Sequence, residues 1–188
     1  MSKSLIIILI LILLLLLGAM VWWLWDFGPP FSFYHKQENA LIMKLTSPNF
    51  ENGQMIPQKY TCDADNVSPA LIINEVPEGA KSLAIVMLDP DVAVGTWIHW
   101  TVWNIDPKTN EVAENSVPSG AVEGKTSFGK PGYGGPCPPT GTHHYIFRIY
   151  ALDTMLDLGP DADNQALEEA MSGHVIGKAE FGGKYSRD

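Results

Sequence analysis

Ser82-Leu83-Ala84-Ile85-Val86-Met87-Leu88-Asp89-Pro90-Asp91 is followed, after five residues, by Trp97-Ile98-His99-Trp100-Thr101-Val102-Trp103-Asn104-Ile105. The first run is apolar until it meets a proline turn, and it reads as a strongly apolar strand. The second is rich in β-branched and aromatic residues, the composition of a pleated, packed surface. Strict alternation would put Trp97, His99, Thr101 and Trp103 on one face, and Ile98, Trp100 and Val102 on the other. Two neighbouring strands with a tight connection suggest an antiparallel sheet.

The rest of the chain repeats this grammar. Further strands are predicted at 41–46, 71–74, 144–151 and 178–185, with the pair above at 82–88 and 98–105. Turns fall at Ser47-Pro48-Asn49, Glu51-Asn52-Gly53, Val76-Pro77-Glu78-Gly79 and Asp106-Pro107, where Pro, Gly, Asn and Asp supply the required backbone conformations. One helix is predicted in this part, at 164–172. Asp161 or Asp163 can cap it, Leu167 and Met171 share a face, and Gly173 stops it. Strands without alternating helices specify an all-β, antiparallel β-sandwich with a short C-terminal helix.

The first 25 residues differ in kind. From 5 to 25 the chain is apolar, and as a helix these residues would rise roughly 30 Å, the thickness of a bilayer core. The run exceeds the usual apolar core of a signal peptide, and Trp22, Trp23 and Trp25 suit an interfacial belt. The expectation is therefore a single-pass transmembrane anchor over 1–25, a linker over 26–43 and one domain over 44–188. Lys3 on one flank and Asp26 on the other would place that domain outside the cytoplasm.

Twenty-one acidic residues against 12 basic ones give a net charge of −9, and no basic cluster occurs. Nucleic acid is excluded as a partner, because its phosphates need a basic face. There are two cysteines, Cys62 and Cys137. Their spacing suggests no structural zinc site; they either pair as a disulfide or stand as free thiols. Asp63-x-Asp65-Asn66 lacks the glycine and glutamate of a calcium loop. Asn66-Val67-Ser68 fits the glycosylation pattern, which is frequent by chance.

Three segments could carry chemistry. Asp89 and Asp91 stand at a strand end; His99 opens the next strand among indoles; His143 and Tyr145, two apart, share a face while His144 takes the other. Before them runs the glycine- and proline-rich loop Gly132-Tyr133-Gly134-Gly135-Pro136-Cys137-Pro138-Pro139. Glycines let backbone amides approach a ligand, and prolines stiffen the loop. Together these groups make a pocket for a small oxyanion, with His and Tyr as donors. Asp89 would not face an anion favourably, and its role is to accept from an imidazole and fix its tautomer or charge.

The ordered set Ser47-Pro48-x-Phe50, Tyr60-Thr61-Cys62-Asp63, Asn66-x-Ser68-Pro69, Asp89-Pro90-Asp91, Trp97-x-His99-Trp100, Gly132 to Pro139, His143-x-Tyr145 and Gly173-His174-Val175 resembles the phosphatidylethanolamine-binding protein family, in its Raf-kinase-inhibitor-like bacterial and archaeal branch. The resemblance implies a binding pocket of Asp89, Trp97, His99, Gly135, Pro138, Pro139, His143 and Tyr145. It departs at Ala93, where the family usually has Pro, and near Ala64 and Ile73, where Gly and Trp are common.

The function expected is a membrane-anchored binding protein for a phosphate-like ion, another small anion or a phospholipid headgroup. It would touch a membrane through residues 5–25 and could modulate a protein partner, such as a protease or another enzyme. The other class is a hydrolase or a metal-dependent enzyme using the His/Asp pocket. Against it, the chain has no nucleophile elbow, no His-Glu-x-x-His and no carboxylate cluster. No metal, cofactor or catalytic residue is expected.

Overall fold

The computed structural model describes residues 40–187. Its strands are β1 (Leu41–Ile42), β2 (Lys44–Thr46), β3 (Leu71–Asn74), β4 (Ser82–Asp89), β5 (Trp97–Ile105), β6 (Glu111–Val112), β7 (Val122–Glu123), β8 (Thr142–Leu152) and β9 (Val175–Ser186). One α-helix, α1 (Asn164–Met171), lies before the last strand, so the described chain ends on a strand rather than a helix.

The strands form a six-stranded sheet in the order β1-β9-β8-β4-β5-β7 and a three-stranded sheet in the order β2-β3-β6. The apolar run of the sequence becomes β4, central in the larger sheet, and every one of its residues is buried. It needs no alternation because it is covered on both faces. Leu83, Ile85 and Met87 face the smaller sheet, in one core with Leu45, Ile73, Val112, Trp100, Phe147 and Phe181. Ala84, Val86 and Leu88 face the other way, in a second core with Ile98, Trp103 and the α1 residues Leu167 and Met171. The helix is started by Asp163, whose Oδ1 accepts from the Ala166 amide at 3.0 Å.

Two details depart from the simple antiparallel picture. β1 runs parallel to β9. The chain leaves the larger sheet at Met43 to become β2 of the smaller one, so its direction follows from the antiparallel β2–β3 pairing. β6 and β7 have two residues each, too short for any periodic signal.

The membrane-spanning helix, and with it the membrane-anchored, extracytoplasmic placement, is corrected here. No helix among the described residues is long and apolar enough to cross a membrane. α1 has eight residues, where a span needs about 20. Residues 5–25, on which that expectation rested, lie outside the described residues. The first strand, Leu41–Ile42, falls within the stretch read as linker.

The alternation read for β5 is also corrected. Met87 pairs with Trp100 but Leu88 pairs with Ile98, so His99 is an extra residue, a β-bulge, opposite β4. A bulge shifts the pleat by one residue and re-aims a side chain. Ile98 therefore packs on the helix side while Trp100 and Val102 pack between the sheets.

Phe147, fully buried between the sheets, tests the shared core. Phe147→Ala is expected to cost about 3–5 kcal/mol, read as a lower urea midpoint; a loss below about 1 kcal/mol would mean that the sheets do not share this core.

Candidate functional site

Because β4 is flanked by antiparallel neighbours, its C-terminal end meets the beginnings of β5 and β8. Three segments far apart in sequence thus converge at one end of the sheet. Asp89 is the last residue of β4 and pairs with Trp97, the first of β5. His143 and Tyr145 sit at the start of β8, on the face shared with Phe147. His144 points away and is largely exposed, as the two-residue period requires.

The polar groups are tied in a definite order. Asp89 Oδ2 lies 2.7 Å from His143 Nδ1, and both side chains are buried. Asp89 Oδ1 accepts from the Asp91 amide at 2.8 Å. Both carboxylate oxygens are thus committed within the protein. Asp91 in turn accepts from the His144 amide and ring on the outer side, which holds its carboxyl below the usual range.

His99 is 3% exposed. Its Nδ1 lies 2.6 Å from the Gly134 carbonyl oxygen, and its own carbonyl accepts from the Gly134 amide at 2.9 Å. The bulge therefore releases His99 from β4 and gives it to the glycine-rich loop. Its ring stands edge-on to Tyr145 and to Phe128, with centroids 5.1 and 5.5 Å away. Burial pushes the His99 imidazole below its ordinary value, against the opposing influence of the Gly134 carbonyl and the Asp89 charge.

Neither imidazole bonds to the protein through Nε2, since each hydrogen bond runs through Nδ1. Nor are those Nε2 atoms among the sealed, unpartnered polar atoms, so neither is fully closed off from solvent. The Tyr145 hydroxyl differs: it is sealed and unpartnered. The Asp89 carboxylate and the Cys137 amide stand beside it, and burial is the main reason its phenol is pushed well above the usual value.

The loop is held at almost every residue. The Tyr133 hydroxyl donates to the Tyr60 carbonyl at 2.8 Å. The Gly135 amide donates to Asn66 Oδ1 at 2.7 Å, and Pro136 accepts from the Cys62 amide at 3.1 Å. Cys137 is bonded to Cys62. Gly135 is there for closeness: a Cβ would lie 2.5 Å from the Tyr60 carbonyl oxygen. At Gly134 a Cβ would run into the Phe128 ring. Pro138 is buried and Pro139 exposed. At the outer edge stand Trp97, 39% exposed and edge-on to Phe128, itself 43% exposed.

Three residues escaped the sequence reading. Gly134 fixes His99 through backbone atoms, which no side-chain pattern announces. Phe128 wedges against His99 and Trp97 from a loop without periodicity. Asn66, read there as part of a family motif and a glycosylation match but given no place in the pocket, adopts φ 56° and spends its side-chain oxygen on Gly135. Asn tolerance of the left-handed region was the one available signal. Among the described residues, no group of three or more His, Cys, Asp or Glu side chains could hold a metal ion.

Comparison with known proteins points one way. The family model for phosphatidylethanolamine-binding protein matches residues 46–186. A UPF0098 protein of Methanothermobacter thermautotrophicus is 46% identical over 150 residues, covering 77% of this chain and 99% of the relative. The crystal structure of CT736 of Chlamydia trachomatis, a phosphatidylethanolamine-binding protein homolog, superposes with a TM-score of 0.73 at 42% identity, covering 80% of this chain and 99% of that one. That of E. coli YbcL, described as a member of the mammalian PEBP family, gives 0.74 at 31% identity, covering 78% and 99%.

The disulfide closes a loop of 75 residues in sequence separation, and both its cysteines are exposed. Replacing both with Ser should lower unfolding free energy by about 4 kcal/mol, measured by urea denaturation, and raise amide exchange in the 132–139 loop. Unchanged exchange there would show that the hydrogen bonds hold the loop without the crosslink.

Proposed function

This chain belongs to the phosphatidylethanolamine-binding protein family, and from that premise we propose that it binds a small oxyanion, phosphate-like or carboxylate, at the mouth formed by His99 and His143. One observation carries the reading. Both imidazoles spend Nδ1 on fixed acceptors of the protein and leave Nε2 unbonded at the same end of the sheet. Side chains this buried are ordinarily satisfied within the protein, and an open ring nitrogen on each of two neighbours suits a ligand.

The electrostatics favour an anion at His143. The Asp89 carboxylate supplies the counter-charge that an imidazolium needs, so a bound anion can take a charge-assisted hydrogen bond from Nε2. Asp89 itself turns no free oxygen outward, because His143 and the Asp91 amide use both. The apolar edge of Trp97 and Phe128 gives room for an organic substituent, as a phospholipid headgroup or a phosphomonoester would bring.

Binding fits these groups better than bond-breaking does. Asp89 and His143 resemble the orienter and base of a hydrolase, but a nucleophile within reach is also needed. The thiol that could serve, Cys137, is bonded to Cys62.

Titrating the protein with inorganic phosphate, phosphoethanolamine and acetate should move the His99 and His143 ring signals in NMR spectra. His143→Ala should weaken binding by about 1.5–3 kcal/mol, the worth of a hydrogen bond to a charged group. If no imidazole signal moves at millimolar anion, the site does not bind oxyanions.

A further inference from the structure

We propose that His99 makes this site selective for oxyanions that carry their own hydrogen, hydrogen phosphate or a singly charged phosphomonoester, over sulfate, which carries none. The proposal rests on the anion-binding reading above and names which anions that site accepts.

The argument begins at the Gly134 carbonyl. A carbonyl oxygen only accepts, so the ring nitrogen 2.6 Å from it, His99 Nδ1, must bear a hydrogen. In the neutral ring Nε2 is then a lone pair. For it to donate, the ring would have to become an imidazolium in a site that is 3% exposed. The surroundings offer that cation little. The Phe128 and Tyr145 rings stand nearly perpendicular to the imidazole and bring no counter-charge to it. Asp89, on β4, is the one carboxylate acting on His99, and its oxygens are committed to His143 and the Asp91 amide. His143, on β8, disfavours a second cation beside it, while the Gly134 and Gly135 backbone of the loop favours the charge only in part. Burial outweighs these helpers and holds the imidazole below its ordinary value.

The two open nitrogens therefore differ. His143, with its carboxylate, can serve an anion as donor; His99 serves as acceptor. A ligand that satisfies both needs an oxygen facing one ring and an O–H facing the other. Hydrogen phosphate has both throughout the neutral range. A phosphomonoester has both below about pH 6, where it still holds its second proton. Sulfate has oxygens alone, and meets the His99 lone pair with a lone pair of its own.

Sulfate can bind well only if His99 takes a proton from solvent. Because the folded imidazole sits below its ordinary value, that uptake is easy only below this lowered value. Above it, sulfate affinity falls by roughly tenfold per pH unit. Both ions meet the same His143 nitrogen, so the phosphate-to-sulfate ratio isolates His99.

The test is calorimetric titration of the full-length protein with sodium phosphate, sodium sulfate and methyl phosphate between pH 5.5 and 8.5, in two buffers of different ionisation enthalpy. At pH 7.5 phosphate should bind at least about tenfold more tightly than sulfate. Sulfate binding should take up one proton and phosphate binding less. Methyl phosphate should follow phosphate at pH 5.5 and weaken above pH 6; its ratio to phosphate at pH 5.5 shows whether the free or the esterified ion is preferred. His99→Gln places an amide that can turn either way near Nε2, and should bring phosphate and sulfate within about threefold. A pH-independent ratio near one in the unaltered protein overturns the selectivity but leaves anion binding standing. If none of the three ions binds, the anion-binding reading falls as well.

Discussion

The site depends on one of the two irregularities in the pairing of β5 with β4, the extra residue at His99. Without it, His99 would be an ordinary strand residue with its backbone bound into the ladder. With it, His99 exchanges two hydrogen bonds with Gly134, one through its carbonyl and one through its ring. The same slip separates Ile98 from Trp100, sending one to the helix side and the other between the sheets. A local change in pairing thus sets the packing of two cores and the orientation of an imidazole.

Around that point the loop is built before any ligand arrives. Tyr133, Gly135, Pro136 and Cys137 are each tied to the 60–66 segment, by three hydrogen bonds and one covalent bond. Ordering a glycine-rich loop at the moment of binding would subtract from affinity. Here that entropy is already spent in folding, and the disulfide lowers it further by constraining the unfolded chain. Asp89 plays the matching part on the other side. It fixes His143 through Nδ1 and is itself fixed by the Asp91 amide, so both rings are held by their inner nitrogens with the outer ones free.

The arrangement stands at the end of β4 for a topological reason. A central strand with antiparallel neighbours brings one strand end and two strand beginnings together. Asp89, His99 and His143 come from those three places. Each is anchored on a long, buried strand; at the rim, Phe128 comes from a loop and packs on Trp97, the first residue of β5.

Much of this was legible in the residues. The long strands of the larger sheet followed from apolar and β-branched runs, and the helix from a cap at Asp161 or Asp163 and the spacing of Leu167 and Met171, because local propensity and burial agree there. His143 and Tyr145 fall on one face, with His144 on the other, by the two-residue period alone. What the sequence could not decide are the features that exist only once distant segments meet. β6 and β7 are stretches of two residues defined by their partners. The bulge at His99 is a relation between two strands, invisible in either one. The bonds of Gly134 and Asn66 run through backbone atoms or across long separations, where composition holds no record. An apolar run is also ambiguous without its surroundings: the same chemistry supports a buried strand or a membrane helix, and among the described residues it forms strands. The sequence by itself determined which groups could form a site; tertiary pairing decided which nitrogen of each imidazole is held and which is open, because a tautomer is chosen by the neighbour across the gap.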